Sequence, residues 1–194
     1  WSDLPTTREF ADYDGNIYLT LKIGDQWWMA ENLKVTHYRN GNIIPQIADD
    51  STWQALTTGA YGSYNNIEAN VDVYGRLYNW YAAIDSQNIA PTGWHVPSYE
   101  EWQALADYLG DSAGGKMKVN GYEYWMSPNT GATNVSGFTA LGSGYRDGGY
   151  FCLTIFAYFW SSTEFNSAHS WSWHLVSEYA GIFRNGYGKE MGFS

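Results

Sequence analysis

The chain has 194 residues, 44% of them apolar, enough to bury one sizeable core in a single domain. Ten basic against twenty acidic side chains leave a formal charge of -10, which repels phosphate backbones and anionic headgroups and argues against nucleic acid or a membrane surface as partner. A single cysteine, Cys152, excludes an internal disulfide and any multi-cysteine zinc cluster, and no apolar run reaches the roughly 18 residues of a bilayer span.

Residues 1–11 read as a polar lead-in and 12–194 as the domain; the start at Trp1 without Met reads as a processed or trimmed chain that has lost an export signal. Asp14-Gly15-Asn16 then opens a strand in which Ile17, Leu19, Leu21 and Ile23 alternate with Tyr18, Thr20 and Lys22, the period of a half-buried strand. Gly24-Asp25 turns it into a second strand carrying Trp27 and Trp28. Asp12, Asp14 and Asn16 have the alternate spacing of calcium-loop ligands, but the glycine is misplaced and no bidentate Glu follows, so a turn is expected. The pairs Asn40-Gly41, Asn120-Gly121 and Asn185-Gly186 predict hairpin turns, because this dipeptide tolerates positive φ.

Two segments carry helical spacing. In "VDVYGRLYNWYAAIDS" it falls on Tyr74, Leu77, Tyr78 and Tyr81, and in "VPSYEEWQALADYLG" on Trp102, Leu105, Ala106 and Leu109. The second has a capping box, Ser98 with Glu101, and a stop at Gly110. Glycine-punctuated strands follow, so the expected class is α+β, with two amphipathic helices lying on a sheet.

The chemistry-bearing residues concentrate in "YFWSSTEFNSAHSWSWHL", residues 158–175. Ser161, Ser162, Glu164, His169 and His174 are the residue types of a nucleophile-base pair, yet no G-x-S-x-G elbow surrounds a serine. In a strand His169 and His174 point to opposite faces, which separates them as metal ligands; His37 and His95 stand alone as hydrogen-bonded structural residues. Asp49-Asp50 sits in a polar loop and Glu100-Glu101 in a helix's first turn, where the dipole favours acids. As glycosidase acids they stay open, because that pairing is spatial. Alternation puts Trp171, Trp173 and Leu175 on one face and Ser172 and His174 on the other, with Trp171 and Leu175 read as core. Tyr179, Phe183, Asn185 and Tyr187 follow among glycine and polar residues, a composition suited to stacking and adaptable polar recognition.

The ordered blocks "DGNIYLTLKIGDQWWMAENL", "GRLYNWYAA", "PTGWHVPSYEEWQAL", "YFWSSTE" and "GFS" resemble the Fibrobacter succinogenes major paralogous domain from about Asp12 to Ser194. "GWHVPSYEEW" is in turn similar to a block of the formylglycine-generating enzyme fold, itself C-type lectin-like. The resemblance implies two helices packed on a small twisted, mixed or antiparallel sheet with long loops, and secretion or display on a bacterial surface. With one cysteine the oxidase activity of formylglycine-generating enzymes is not expected. Ser127-Pro128-Asn129 lacks the acidic ligand of the calcium-dependent lectin loop. Domains of this kind are also displayed products of diversity-generating retroelements, and residues 165–187 lie where such a varied segment falls.

The expected function is an exported, non-enzymatic, adhesin-like module that binds a protein or glycan on another cell through Asn166, His169, Ser172, Trp173, His174, Tyr179, Phe183, Asn185 and Tyr187. Set against the family's usual pattern, the resemblance implies that Trp171, Leu175, Arg184, Lys189, Gly192 and Phe193 are scaffold. No catalytic residue, cofactor, metal ligand or membrane insertion is expected, and nothing fixes an oligomeric state. The alternatives are a carbohydrate-active enzyme built on two carboxylates and an assembly module of a larger surface protein.

Overall fold

The computed structural model describes residues 7–194; the first six residues of the lead-in lie outside the described part. Thr7–Ala11 is not lead-in but strand β1, pairing antiparallel with β2 (Ile17–Ile23), which pairs with β3 (Gln26–Met29). The acids of the β1–β2 turn are both engaged by protein groups. Asp12 accepts from the Asn16 backbone and side-chain amides and from the Tyr18 hydroxyl, while Asp14 accepts from Thr36 and pairs with His37. The alternation along β2 switches sides: Tyr18 and Thr20 are buried and Ile17 and Leu19 exposed, whereas Leu21 and Ile23 enter the main core. Phe10 stacks on Tyr18 and on Trp94, so a crossing segment covers that first half.

The chain then runs through α1 (Asp50–Gln54), β4 (Tyr61–Gly62), α2 (Ala69–Tyr74), β5 (Leu77–Tyr78) and α3 (Trp80–Ala83). One helix through Tyr74, Leu77, Tyr78 and Tyr81 does not form. Gly75 leaves the helix at φ +71 with the Asn32 Cβ only 2.5 Å from where its own Cβ would stand, and Leu77–Tyr78 extends to pair with Tyr61–Gly62. Asn79 restarts the helix by accepting from the Ala82 N–H. Helix α4 (Tyr99–Leu109) follows its sequence signals: the Ser98–Glu101 capping box forms, Gly110 ends it at φ +66, and Trp102, Leu105 and Leu109 are buried.

After α5 (Ala113–Met117) come the hairpin β6 (Tyr145–Arg146) and β7 (Tyr150–Phe151), then β8 (Phe156–Glu164), β9 (His169–Val176) and β10 (Phe183–Gly188) in an antiparallel sheet of order β10-β9-β8. Of the Asn-Gly pairs, Asn40-Gly41 turns as expected, with Gly41 at φ +87 inside a His37–Ile43 bridge. Bends, not strands, surround Asn120-Gly121. Asn185-Gly186 lies within β10 with Gly186 opposite Trp171; the glycine serves close approach there, since a Cβ would stand 2.6 Å from the Phe165 ring.

The architecture is therefore mixed α+β, with small antiparallel sheets and few helices. The main core centres on Trp102, whose ring lies 4.8 Å from Trp28, 5.4 Å from Phe159 and 6.3 Å from Trp173. Two buried cations, Arg146 and Lys118, tie distant stretches of backbone together. Arg146 donates to the Ile47 and Ala48 carbonyls and pairs with Asp50, and Lys118 donates to the Val176, Ser177 and Tyr179 carbonyls at the end of β9. Among the described residues no helix is long and apolar enough to cross a membrane.

Candidate functional site

The register of the C-terminal sheet sorts its side chains. Phe159 pairs with Trp173 and Trp173 with Arg184, so these point to the same side, toward α4. There Trp173 is 0% exposed, between the Trp102 and Tyr99 rings and under the Arg184 guanidinium at 5.3 Å. Trp173 is thus a core residue and cannot touch a ligand, which corrects its assignment to the binding face. Trp171 and Leu175 share that side, and Trp171 packs on Tyr99 and Phe165.

The opposite side carries Phe156, Tyr158 and Trp160 from β8, Ser172 and His174 from β9, and Phe183 and Asn185 from β10. Its two halves differ. Around Trp160 the face is closed: the Phe193 ring lies 4.2 Å away, Trp80 donates to the Ser161 carbonyl, and Ser172, opposite Trp160, is fully buried. Ser172 is therefore also removed from the contact residues.

Around His174 the face is open. Tyr158, His174 and Phe183 are cross-strand neighbours on three adjacent strands, and their rings stack in a row, 4.9 Å and 5.6 Å apart with interplanar angles of 25°. Phe193 continues the row behind Tyr158 at 4.7 Å. Tyr187 meets Tyr158 edge-on, and Tyr179 meets Phe183 edge-on at 5.7 Å. Phe183 is 38% and Tyr179 55% exposed, Asn185 is exposed, and His174 and Tyr187 are half-buried. The sequence reading overlooked Phe156, half-buried beside Tyr158, and Phe151, exposed against Tyr145; the alternation Phe156, Tyr158, Trp160 was the available signal.

Burial pulls the His174 imidazole down to about 4, so the ring is neutral at physiological pH. Its Nδ1 is buried and has no partner among the described residues. The open end of the face is thus a neutral, ring-lined surface on a rigid sheet, and it offers contact area without a fixed charge.

The remaining expected contacts lie at one end of the sheet. Asn166 and His169 are exposed, and the Asn166 Oδ1 accepts from the Ala168 and His169 N–H groups in a local turn. Lys189 holds that loop by donating to the Ser167 carbonyl and pairing with Glu164. His169 pairs with Gly188 and His174 with Phe183, five residues apart on opposite faces, as the alternation requires.

Of the four carboxylates weighed as acids, Asp49, Asp50 and Glu101 are otherwise occupied, and Glu100 stands in the first turn of α4. Asp49 caps α1 and its hydrogen bonds with Thr52 and Ser51 hold it at about 2, Asp50 pairs with Arg146, and Glu101 closes the capping box and bonds His95. Asn129 of Ser127-Pro128-Asn129 turns inward, donating to the Val119 and Gly121 carbonyls. Among the described residues no group of three or more His, Cys, Asp or Glu side chains is arranged to hold a metal.

A comparison with curated proteins and another with solved structures each returned no match. The family model described as Fibrobacter succinogenes major domain matches residues 21–194, so the chain belongs to that family.

Proposed function

We propose that this member of the Fibrobacter succinogenes major domain family is a non-enzymatic, C-type lectin-like binding module, exported and displayed outside the cell, that recognises a protein or glycan on another surface. The observation that carries the reading is the Tyr158–His174–Phe183 ring row, stacked across three strands and open at the Phe183 end. The rings are fixed by the sheet before binding, so little side-chain entropy is lost on contact, and Tyr and Phe edges give area that both protein and sugar surfaces accept. The contact residues are His174, Tyr179, Phe183, Asn185 and Tyr187, extended at the sheet's end by Asn166 and His169.

An array of glycans and bacterial surface proteins probed with wild type and with Phe183→Ala plus Tyr187→Ala tests this. The double variant is expected to weaken any specific binding at least tenfold, as loss of aromatic contact residues does. Specific binding that survives both substitutions refutes the site.

The resemblance to retroelement-diversified proteins supports a narrower proposal, that residues 165–187 vary between copies of the gene. Variation would then fall on His174, Tyr179, Phe183 and Asn185 and spare the buried Ser172 and Trp173. A gene without a neighbouring reverse transcriptase and an imperfect copy of its 3′ end would remove that proposal and leave the binding module standing.

A further inference from the structure

The C-terminal sheet has one closed edge and one open edge. Along β8 the outer carbonyls of Phe156 and Tyr158 accept from the Gly144 and Ser194 N–H groups, and the Ser162 N–H donates to Pro97. β10 forms the other edge, with Phe183, Arg184 and Asn185 exposed.

Hydrogen-bond parity decides which β10 groups face outward. One step beyond the Phe156–Val176 pair, Ser177 donates to the Ile155 carbonyl, so alternate β9 residues from there face β8, and His174 and Ser172 face β10. One step beyond the Gly188–His169 pair, Lys189 donates to the Ala168 carbonyl, and this gives the same parity from the other end: Phe183, Asn185 and Tyr187 bond to β9. Arg184 and Gly186 therefore turn their N–H and C=O groups away from the sheet. Among the described residues the Arg184 N–H and C=O and the Gly186 C=O have no partner, and the Gly186 N–H is met only by the Oδ1 of its neighbour Asn185 at 2.9 Å.

Open edges are commonly guarded by lysine, proline or a bulge. β10 has none of these: its register against β9 is unbroken from Phe183 to Gly188, and its one charged side chain, Arg184, lies over the Trp173 and Tyr99 rings at 5.3 Å and 5.6 Å. The same strand ends the ring row. Tyr158, His174 and Phe183 turn their faces on one another, so the row stops at Phe183, beside the open edge. A sugar laid on rings needs their faces, which the row largely keeps to itself, whereas a strand beside β10 would meet both the unpaired backbone groups and Phe183. Two copies of a chain with a net charge of -10 repel each other, and a basic segment is attracted.

We propose that the ring face takes a protein ligand, which adds an extended basic segment to the outer edge of β10, bonds the Arg184 and Gly186 backbone groups and sets an apolar side chain against Phe183. This rests on the reading of the ring face as a binding surface and names its partner. Backbone pairing supplies affinity and alternate side chains supply specificity. The residue opposite Phe183 points to the ring side, because directly paired residues share a face.

The probe is a display library of random peptides of about twelve residues, selected on the full chain, with a glycan array run beside it. Enriched peptides are expected to be basic and to alternate apolar with polar residues. Methylating every second backbone nitrogen of a selected peptide should weaken it at least tenfold in one phase and little in the other, since only one set of N–H groups meets β10. Arg184→Pro removes an outward N–H without touching the β9 ladder and should weaken it about tenfold, the effect of one hydrogen bond. If that variant fails to fold, amide exchange of wild type decides: bound peptide should slow the Arg184 amide at least tenfold and leave the Asn185 amide, already bonded to Ser172, unchanged. No enrichment overturns the inference, as do peptides that tolerate both methylation phases or leave the Arg184 amide unprotected, and pairing of the chain with itself through β10. Binding of a glycan and of no peptide, dependent on Phe183 and Tyr187, overturns it and leaves the ring face a binding site. Peptide binding indifferent to Phe183→Ala plus Tyr187→Ala overturns both.

Discussion

Replacing Trp173 by alanine separates the two faces of the C-terminal sheet. The side chain is 0% exposed and packed against Trp102, Tyr99 and the Arg184 guanidinium, so truncation removes a large buried ring and leaves a cavity that rigid neighbours on α4 and β8 fill poorly. The cost of such a change is about 3–5 kcal/mol, a large part of the roughly 5–15 kcal/mol that holds a domain folded. With a urea m-value of about 2–3 kcal/mol/M for a domain of this size, the unfolding midpoint should fall by about 1–2.5 M. Trp173→Phe should cost less than half as much. The indole Nε1 is buried without a partner among the described residues, so the lost volume is offset by removing an unmet donor. Phe183→Ala, on the open side, should cost no more than about 1 kcal/mol. The measurement is equilibrium urea unfolding followed by tryptophan fluorescence and by far-UV circular dichroism. A Trp173→Ala midpoint within about 0.3 M of wild type would show that Trp173 faces outward. The register of β9 would then be shifted by one residue, and the ring row with it.

The other predictions concern single features. His174 has a folded pKa of about 4 against 6.5 unfolded, so the stability it contributes is complete above 6.5 and is lost as pH falls toward 4. Allowing for solvent screening of a half-buried ring, unfolding between pH 7 and pH 4.5 should show wild type losing about 1–2 kcal/mol more than His174→Phe; equal losses refute the burial argument. Lys118→Met strips the Val176, Ser177 and Tyr179 carbonyls of their donor and should cost about 2–4 kcal/mol, with faster amide exchange confined first to residues 177–181. Gly75→Ala forces a Cβ against Asn32 at a backbone φ of +71, and a loss of about 2–4 kcal/mol in thermal unfolding is expected; a neutral result would mean that α2 continues through this position.

Much of the site was legible in the chain. Period-two alternation by itself put Trp173 beside Trp171 and Leu175 and opposite His174, and pairing with Phe159 bears out that parity. Assigning Trp173 to the binding face set aside a rule the sequence already contained. Ser172 was different, because its parity is that of His174, and only the return of Phe193 and Trp80 over Trp160 decides that one is covered and the other open. The capping box of α4 and the Gly41 turn are local and were readable, since the atoms that satisfy them lie within four residues.

The sequence by itself determined the α+β character, the start and stop of α4, the parity of β9, and a charge that disfavours polyanionic partners. Tertiary structure decided the features whose partners are distant in the chain. Gly75 breaks a helical period because Asn32 occupies the space beside it, and Gly186 continues a strand because Phe165 lies over it. Residues 90–94 are held by Arg39, more than fifty residues away, whose guanidinium donates to the Ala90, Pro91 and Trp94 carbonyls. Local propensity is set by a residue and its near neighbours, whereas burial depends on which distant segment returns to cover it.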